Sequence, residues 1–292
     1  MPATTLVAVP NVSEGSDSRS IDRMARAFAG AALLDVHSDA DHGRSVYTLA
    51  GPQGTVQDAL VAGAAAALQA IDLRFHTGLH PFVGALDVMP VVYLDEKRRG
   101  AAYAEVLAAA GRVGEELEVP VVLYGELATR PERRERAWLR QGGWRALADR
   151  IERGEVAPDF GPRRAHPTGG VILATARAPL IAFNLDLVED DLALARRVAA
   201  GLRESGGGLA GVRAIGLRLE DRGRVQVSIN VHDHRATPLR AVVEAVRREA
   251  DVAEAELVGL APAAAFDGFP EDLTVRGFSP ERHLLENALR SN

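Results

Sequence analysis

Apolar and polar residues recur along this chain in one order, twice over, and that repetition limits the architecture more than any other feature of the sequence. Residues 4–10 (TTLVAVP) form a β-like run ended by Pro10, and residues 18–30 carry Ile21, Met24, Ala25 and Phe28 at helical spacing. Segments 32–37 and 44–51 read as strands around a polar loop, an Ala-rich helix covers 55–70, and 85–94 is an apolar strand. The order is βαββαβ. A helix over 101–117, a strand over 119–125 and an Arg/Glu/Trp-rich helical stretch over 131–153 come next. Residues 155–170, with three prolines and three glycines, read as a loop. From residue 179 the pattern restarts: a strand over 179–187, a helix over 191–205, strands over 211–220 and 223–230, a helix opened by Thr237 and Pro238, and a strand over 254–260. The expected fold is α+β with two subdomains, residues 1–178 and 179–292, each an antiparallel sheet covered by helices, with a ligand crevice or tunnel between them.

The same order serves many unrelated chemistries, so composition has to narrow the field. The chain of 292 residues is 47% hydrophobic and 25% charged, with a formal net charge of −6, which argues against a large nucleic-acid or anionic-lipid footprint. The order is also that of RNA-recognition modules, but the strands that would stack bases hold Tyr47 as their sole aromatic. With no cysteine there are no disulfides, iron–sulfur clusters, thiolate zinc sites or cysteine nucleophiles. Lys97 is the only lysine and lies in a charged run, which argues against Schiff-base chemistry and a Walker-type phosphate lysine. No stretch approaches the roughly 20 apolar residues of a membrane span, and the N-terminus lacks the pattern of a signal peptide. A cytoplasmic protein is expected.

Several motif matches are weak. Gly206, Gly208 and Gly211 spell G-x-G-x-x-G after a helix and before a strand, the reverse of the nucleotide-binding context. His76 and His80 have the spacing of a helical zinc pair, but Thr77 stands where a glutamate is required and Gly78 and Pro81 oppose a helix. No metal is expected. His232 and His234 share a strand face without an evident third ligand, and no G-x-S-x-G elbow exists.

Three polar loops are more informative. Residues 74–88 (RFHTGLHPFVGALDV) place two histidines, two glycines and a proline between a helix and a buried strand. Residues 10–15 (PNVSEG) put Asn11, Ser13 and Glu14 after the first strand, where a plain helix cap through Ser13 or Ser16 is the alternative. Residues 37–44 (HSDADHGR) crowd Asp39, Asp41, two histidines and Arg44 into one turn. All three follow or precede strands of the first half and can converge on one site.

Together with VPVVLYGELA (119–128), APDFGP (157–162), IAFNLDL (181–187), QVSINVHD (226–233), ELVGLAP (256–262) and a closing LLENAL, these segments run collinear with the formiminotransferase family, which the chain resembles from end to end. The resemblance implies transfer of a formimino group from N-formimino-L-glutamate to N5 of tetrahydrofolate, a step of histidine degradation, with tetrahydrofolate as co-substrate and small molecules as partners. A homodimer is compatible with it. The family's catalytic histidine, in H-x-G-x-H-P, falls on His80, and its folate segment falls on 156–165, centred on Asp159, Phe160, Gly161, Pro162 and Arg163. By inference from their charge, Arg44 and Arg163 or Arg164 are candidates for the carboxylates of formiminoglutamate or of the folate tail, and Asp39 or Asp41 for the cationic amidine; Asn11, Asn184 and Asn230, at strand ends where the resembled family also carries asparagine, are candidates for orienting pterin or adduct. Two positions depart from the family pattern: Phe82 stands where an arginine is usual, and Gly43 where an asparagine precedes Arg44. They leave open an N-formylglutamate-using transferase or a tetrahydrofolate-binding paralogue without catalysis.

Overall fold

The structure is a computed structural model and describes residues 5–291. The chain divides into two compact units, residues 1–177 and 178–292.

In the first unit, β1 (Thr5–Ala8) and β2 (Asn11–Val12) are one strand interrupted at Val9 and Pro10. Residue 4, the expected start of this strand, lies outside the described residues. Helix α1 (Ser18–Phe28), strands β3 (Ala32–Asp39) and β4 (Arg44–Pro52), helix α2 (Thr55–Ala70) and strand β5 (Leu86–Val92) complete the first expected βαββαβ order. The broken strand lies between β4 and β5 and is antiparallel to both. The break keeps its backbone paired: Val9 N–H donates to the Pro90 carbonyl at 3.1 Å, and Tyr47 N–H donates to the Pro10 carbonyl at 3.0 Å. β3 pairs with the outer edge of β4.

Beyond this repeat the unit carries an extension: α3 (Arg99–Glu116), β6 (Val121–Leu123), α4 (Arg136–Leu139), α5 (Gly143–Glu152) and β7 (Ile172–Arg177). Here the structure corrects the expectation of antiparallel sheets. β7, a strand the sequence pattern did not announce, inserts parallel to β5, and β6 lies parallel to β7, so the seven-stranded sheet is mixed. The crossovers through α3 and through α4 and α5 supply the long connections that parallel pairing needs. The expected single helical stretch over 131–153 is broken into a 3₁₀ turn over Pro131–Arg134 and the two helices α4 and α5. Leu139, Leu147 and Ile151 pack there on Val88, Val122 and Leu173, with Trp138 and Trp144 at the margin of the same cluster.

Two helix starts show how polar groups are placed. The N-cap of α1 is Asp17, not Ser13 or Ser16; its carboxylate accepts from Arg19 N–H at 3.2 Å and from the Ser20 hydroxyl at 2.5 Å. Helix α2 has no side-chain cap of its own. The buried carboxylate of Glu105, on α3, takes that place by accepting from Gly54 N–H at 2.9 Å and Gln57 N–H at 2.7 Å.

The second unit repeats the order without the extension: β8 (Ile181–Leu187), α6 (Leu192–Leu202), β9 (Val212–Leu219), β10 (Arg224–Val231), α7 (Leu239–Arg247) and β11 (Val252–Val258), closed by α8 (Pro280–His283) and α9 (Leu285–Ser291). The sheet order β11-β8-β10-β9 is fully antiparallel. Period-two alternation sends Phe183, Leu185, Val227 and Ile229 into one core with Val198, Leu202, Val242 and Val246 of the helices. Opposite parity puts Asn184, Asp186, Gln226 and Asn230 on the other face of the same strands.

Candidate active site

The three polar loops of the first unit do converge. Ser13 donates its hydroxyl to the Gly84 carbonyl at 2.8 Å and its N–H to the Ala85 carbonyl at 2.9 Å, which ties loop 10–15 to loop 74–84. The Ser45 hydroxyl donates to the Glu14 carbonyl at 2.6 Å, which ties it to the β3–β4 turn. That turn in turn receives the histidine loop: Leu79 N–H donates to the Asp41 carbonyl at 3.2 Å and His80 N–H to the His42 carbonyl at 3.3 Å. The approach is close enough to require glycine. A Cβ on Gly43, at φ +61, would come within 2.5 Å of the Gly78 Cα, and one on Gly78 within 2.6 Å of the His42 carbonyl oxygen. Gly43, a departure from the resembled pattern, thus sits where the two loops touch.

His80 lies at this junction, 7% exposed. Its Nδ1 is 2.9 Å from the Pro81 carbonyl oxygen, which only accepts, so Nδ1 carries the proton. Its Nε2 is 2.8 Å from Nη1 of Arg44, which only donates, so Nε2 is the bare lone pair. These two contacts define a neutral imidazole in one tautomer. Burial, and then the guanidinium groups of Arg44, Arg140 and Arg136, hold its pKa well below the usual histidine range.

The cations around it come from the extension and from β4. Burial, with Arg140 and Arg136 nearby, lowers the Arg44 pKa to about 10, and burial lowers that of Arg140 to about 10 despite Asp87. Arg140, whose side chain is 8% exposed, pairs with the buried carboxylate of Asp87. Asp87 also accepts from Val83 N–H at 2.8 Å and so anchors the far end of the His80 loop. Arg136, one helical turn before Arg140, lies with its guanidinium carbon 6.0 Å from the centre of the Tyr124 ring. Asp39, at the end of β3, is buried and accepts from His42 N–H at 2.8 Å. Phe82, where the resemblance leads one to look for an arginine, packs its ring edge-on to His76 with centroids 4.4 Å apart.

Comparison with known proteins places this geometry in a family. The model of the formiminotransferase domain, N-terminal subdomain, matches residues 5–177, and that of the formiminotransferase domain matches residues 182–267. The chain belongs to the formiminotransferase family. It is 38% identical to glutamate formimidoyltransferase of Streptococcus pyogenes serotype M1, over 98% of this chain and 99% of that protein. It is 36% identical to glutamate formimidoyltransferase of Thermoplasma acidophilum, over 96% of each chain. Against formimidoyltransferase-cyclodeaminase of Rattus norvegicus the identity is 39% over 96% of this chain and 56% of that protein, so the chain spans about half of that longer relative.

The remaining candidate residues of this formiminotransferase chain are placed as follows. Asn11, in β2, donates its amide to the Val9 carbonyl at 2.8 Å and bridges the strand break. Asp159 is committed within the chain: its carboxylate accepts from Leu123 N–H at 2.8 Å, the Thr129 hydroxyl at 2.9 Å and the buried Arg133 at 3.0 Å. Phe160 exchanges backbone bonds with Val121, and Gly161, at φ +78, lies where a Cβ would meet the Val119 carbonyl oxygen at 2.5 Å. Pro162 is half-buried, whereas Arg163 is exposed and has no ion pair among the described residues. Asn184 and Asn230 belong to the second unit. Asn184 donates to Glu256 at 3.0 Å, and Asn230 stands in register with Ala182 and Arg213.

Sequence reasoning missed Arg136, Arg140 and Asp87. The first two sit in a run, RERAWLRQ, that reads as a solvated helix face. Asp87 did leave a signal, as the one charge inside the apolar strand ALDVMPVVYL before Asp95.

Proposed function

We propose that this chain transfers the formimino group of N-formimino-L-glutamate to N5 of tetrahydrofolate, with His80 as the group that moves the proton. The observation that carries the reading is the tautomer of His80. A neutral imidazole whose Nδ1–H is held by the Pro81 carbonyl presents Nε2 as a proton acceptor in a unit matched by the formiminotransferase N-terminal subdomain. N5 attacks the amidine carbon and a tetrahedral adduct forms. Nε2 takes the N5 proton and returns it to the glutamate nitrogen as the carbon–nitrogen bond to glutamate breaks. The products are 5-formiminotetrahydrofolate and glutamate, and no proton is gained or lost overall. Asp39, buried beside the same turn, is assigned to the cationic amidine on the strength of its charge.

Tetrahydrofolate enters as a co-substrate. Within 156–165, Arg163 or Arg164, both exposed, is assigned to a folate carboxylate, and Asp159 and Gly161 shape the turn before them. Asn11 is assigned to orienting pterin or adduct through its side-chain amide. The N-formylglutamate alternative rests on Phe82, whose ring fills space beside His76 where the resemblance implies a cation.

The test is formation of 5-formiminotetrahydrofolate from tetrahydrofolate and N-formimino-L-glutamate by the purified protein, with N-formyl-L-glutamate in competition. His80→Ala is expected to lower kcat by about 10²–10⁴-fold, the usual contribution of a positioned acid–base group, and to leave folate binding intact. Turnover at the wild-type rate in that variant refutes the role of His80. Preference for the formyl donor in kcat/KM transfers the assignment to the alternative.

A further inference from the structure

We propose that Arg44 and Arg136 receive a carboxylate of the amino-acid donor, and that this contact draws the Arg44 guanidinium off Nε2 of His80, so that the base is uncovered only when the donor is seated. The proposal rests on the donor being the glutamate derivative of the preceding section.

The lone pair that must accept a proton already has a donor on it. Nη1 of Arg44 donates to it at 2.8 Å. That guanidinium has no carboxylate within 4 Å among the described residues, and neither has that of Arg136, which lies over the Tyr124 ring. Two cations therefore stand at the site without an acidic partner, while the third, Arg140, is paired with Asp87. A neutral imidazole is a poor match for a guanidinium, which has five donors in a planar fork shaped for a carboxylate. An incoming carboxylate offers Arg44 a charge-assisted, two-pronged bond in exchange for a single neutral one. Arg136 is set one helical turn from Arg140 and supplies a second cation from the α4 side.

The exchange also changes the base itself. The charged groups that face His80 are Arg44 of β4, Arg136 and Arg140 of α4 and its cap, and His42 of the β3–β4 turn, with Asp87 of β5 and Asp39 of β3 acting on Arg44. Neutralising and withdrawing Arg44 removes the guanidinium nearest to the ring, so proton affinity rises at the moment a proton has to be taken. A site whose base is capped until the donor arrives discriminates against donors lacking that carboxylate.

The experiment is a histidine-selective NMR titration of the full chain, with His80 assigned through His80→Asn and L-glutamate as the probe, together with calorimetric glutamate binding. For the wild type, saturating glutamate is expected to raise the His80 titration midpoint. Arg44→Met should show a raised midpoint without glutamate, no further response to it, and at least about tenfold weaker glutamate binding, the loss of one charge-assisted pair. Arg136→Met alters a partly exposed side chain and keeps the test valid if Arg44→Met fails to fold; glutamate should bind it at least about tenfold more weakly too. Unchanged glutamate affinity in Arg136→Met, or glutamate binding to the wild type that leaves the His80 midpoint in place, overturns the proposal. A protein that shows the expected glutamate response but transfers no formimino group supports the proposal and refutes the functional reading instead.

Discussion

Removing the carboxylate of Asp87 is the perturbation that tests most directly how the cationic site is held together. Asp87 is 2% exposed and its partner Arg140 has a side chain 8% exposed, so substitution leaves a guanidinium buried beside Arg136 and Arg44 with no counter-charge. Breaking a buried pair from one side costs about 3–5 kcal/mol. Asp87→Ala also orphans Val83 N–H, which adds about 1–3 kcal/mol; Asp87→Asn keeps an acceptor for Val83 and should fall at the lower end. Against a total stability of about 5–15 kcal/mol either loss is large. The assay is urea unfolding followed by tryptophan fluorescence. Both tryptophans of the chain, Trp138 and Trp144, lie in the cluster around Leu139 and Leu147, so the signal reports the first unit alone and avoids averaging two units into one transition. The double variant Asp87→Asn/Arg140→Met removes the stranded charge and should recover part of the loss. A single-variant loss under about 1 kcal/mol, or a double variant no more stable than Asp87→Asn, would refute the reasoning.

Three further outcomes are expected. Glu105→Ala should destabilise the first unit by about 2–4 kcal/mol, measured by the same unfolding assay, because it strips two backbone N–H groups of their acceptor at the start of α2. His80 is held neutral with a pKa well below that of the unfolded chain, so below pH about 6.5 the unfolded state binds the extra proton. Its contribution to stability is therefore complete above that pH and is lost as pH falls toward the lowered folded value. His80→Asn should flatten the acid side of the stability–pH curve, and an unchanged slope would contradict the assignment. Gly43→Ala must either strain a residue at φ +61 or push the Gly78 backbone away, and a shift of that size beside the base should cost about 10²-fold in turnover. Steady-state kinetics at saturating folate read it.

What was legible in the sequence was whatever local pattern encodes. The strands and helices of both βαββαβ repeats follow from period-two and helical spacing, and the convergence of loops 10–15, 37–44 and 74–84 follows from their places at the ends of neighbouring strands. The tautomer of His80 was not legible, because it depends on Arg44 and the Pro81 carbonyl being brought to opposite ring nitrogens. Strand β7 escaped notice for a related reason. It follows a Pro/Gly-rich loop and earns its place only by parallel pairing with β5, more than eighty residues earlier. Asp17 is the cap of α1 because the helix begins at Ser18, and Ser13 is spent on the histidine loop.

Strand β7, Arg136 and Arg140, none of them announced by local pattern, lie in one part of the chain. The two units have the same strand order through four elements of sheet, so the repeat by itself does not explain why the histidine site stands in only one of them. What distinguishes the first unit is the extension after β5: β6 and β7 widen the sheet, and α4 and α5 pack against them. That packing carries Arg136 and Arg140 to the end of β5 where Asp87 anchors the His80 loop. Without the extension the loop would keep its glycines, its histidine and Arg44 but lose two of the cations that add to burial in lowering the proton affinity of the imidazole. The part of the chain hardest to read from local pattern is thus the part that brings a cluster of cations to the histidine loop of a common fold, because charge placed by packing has no period to betray it.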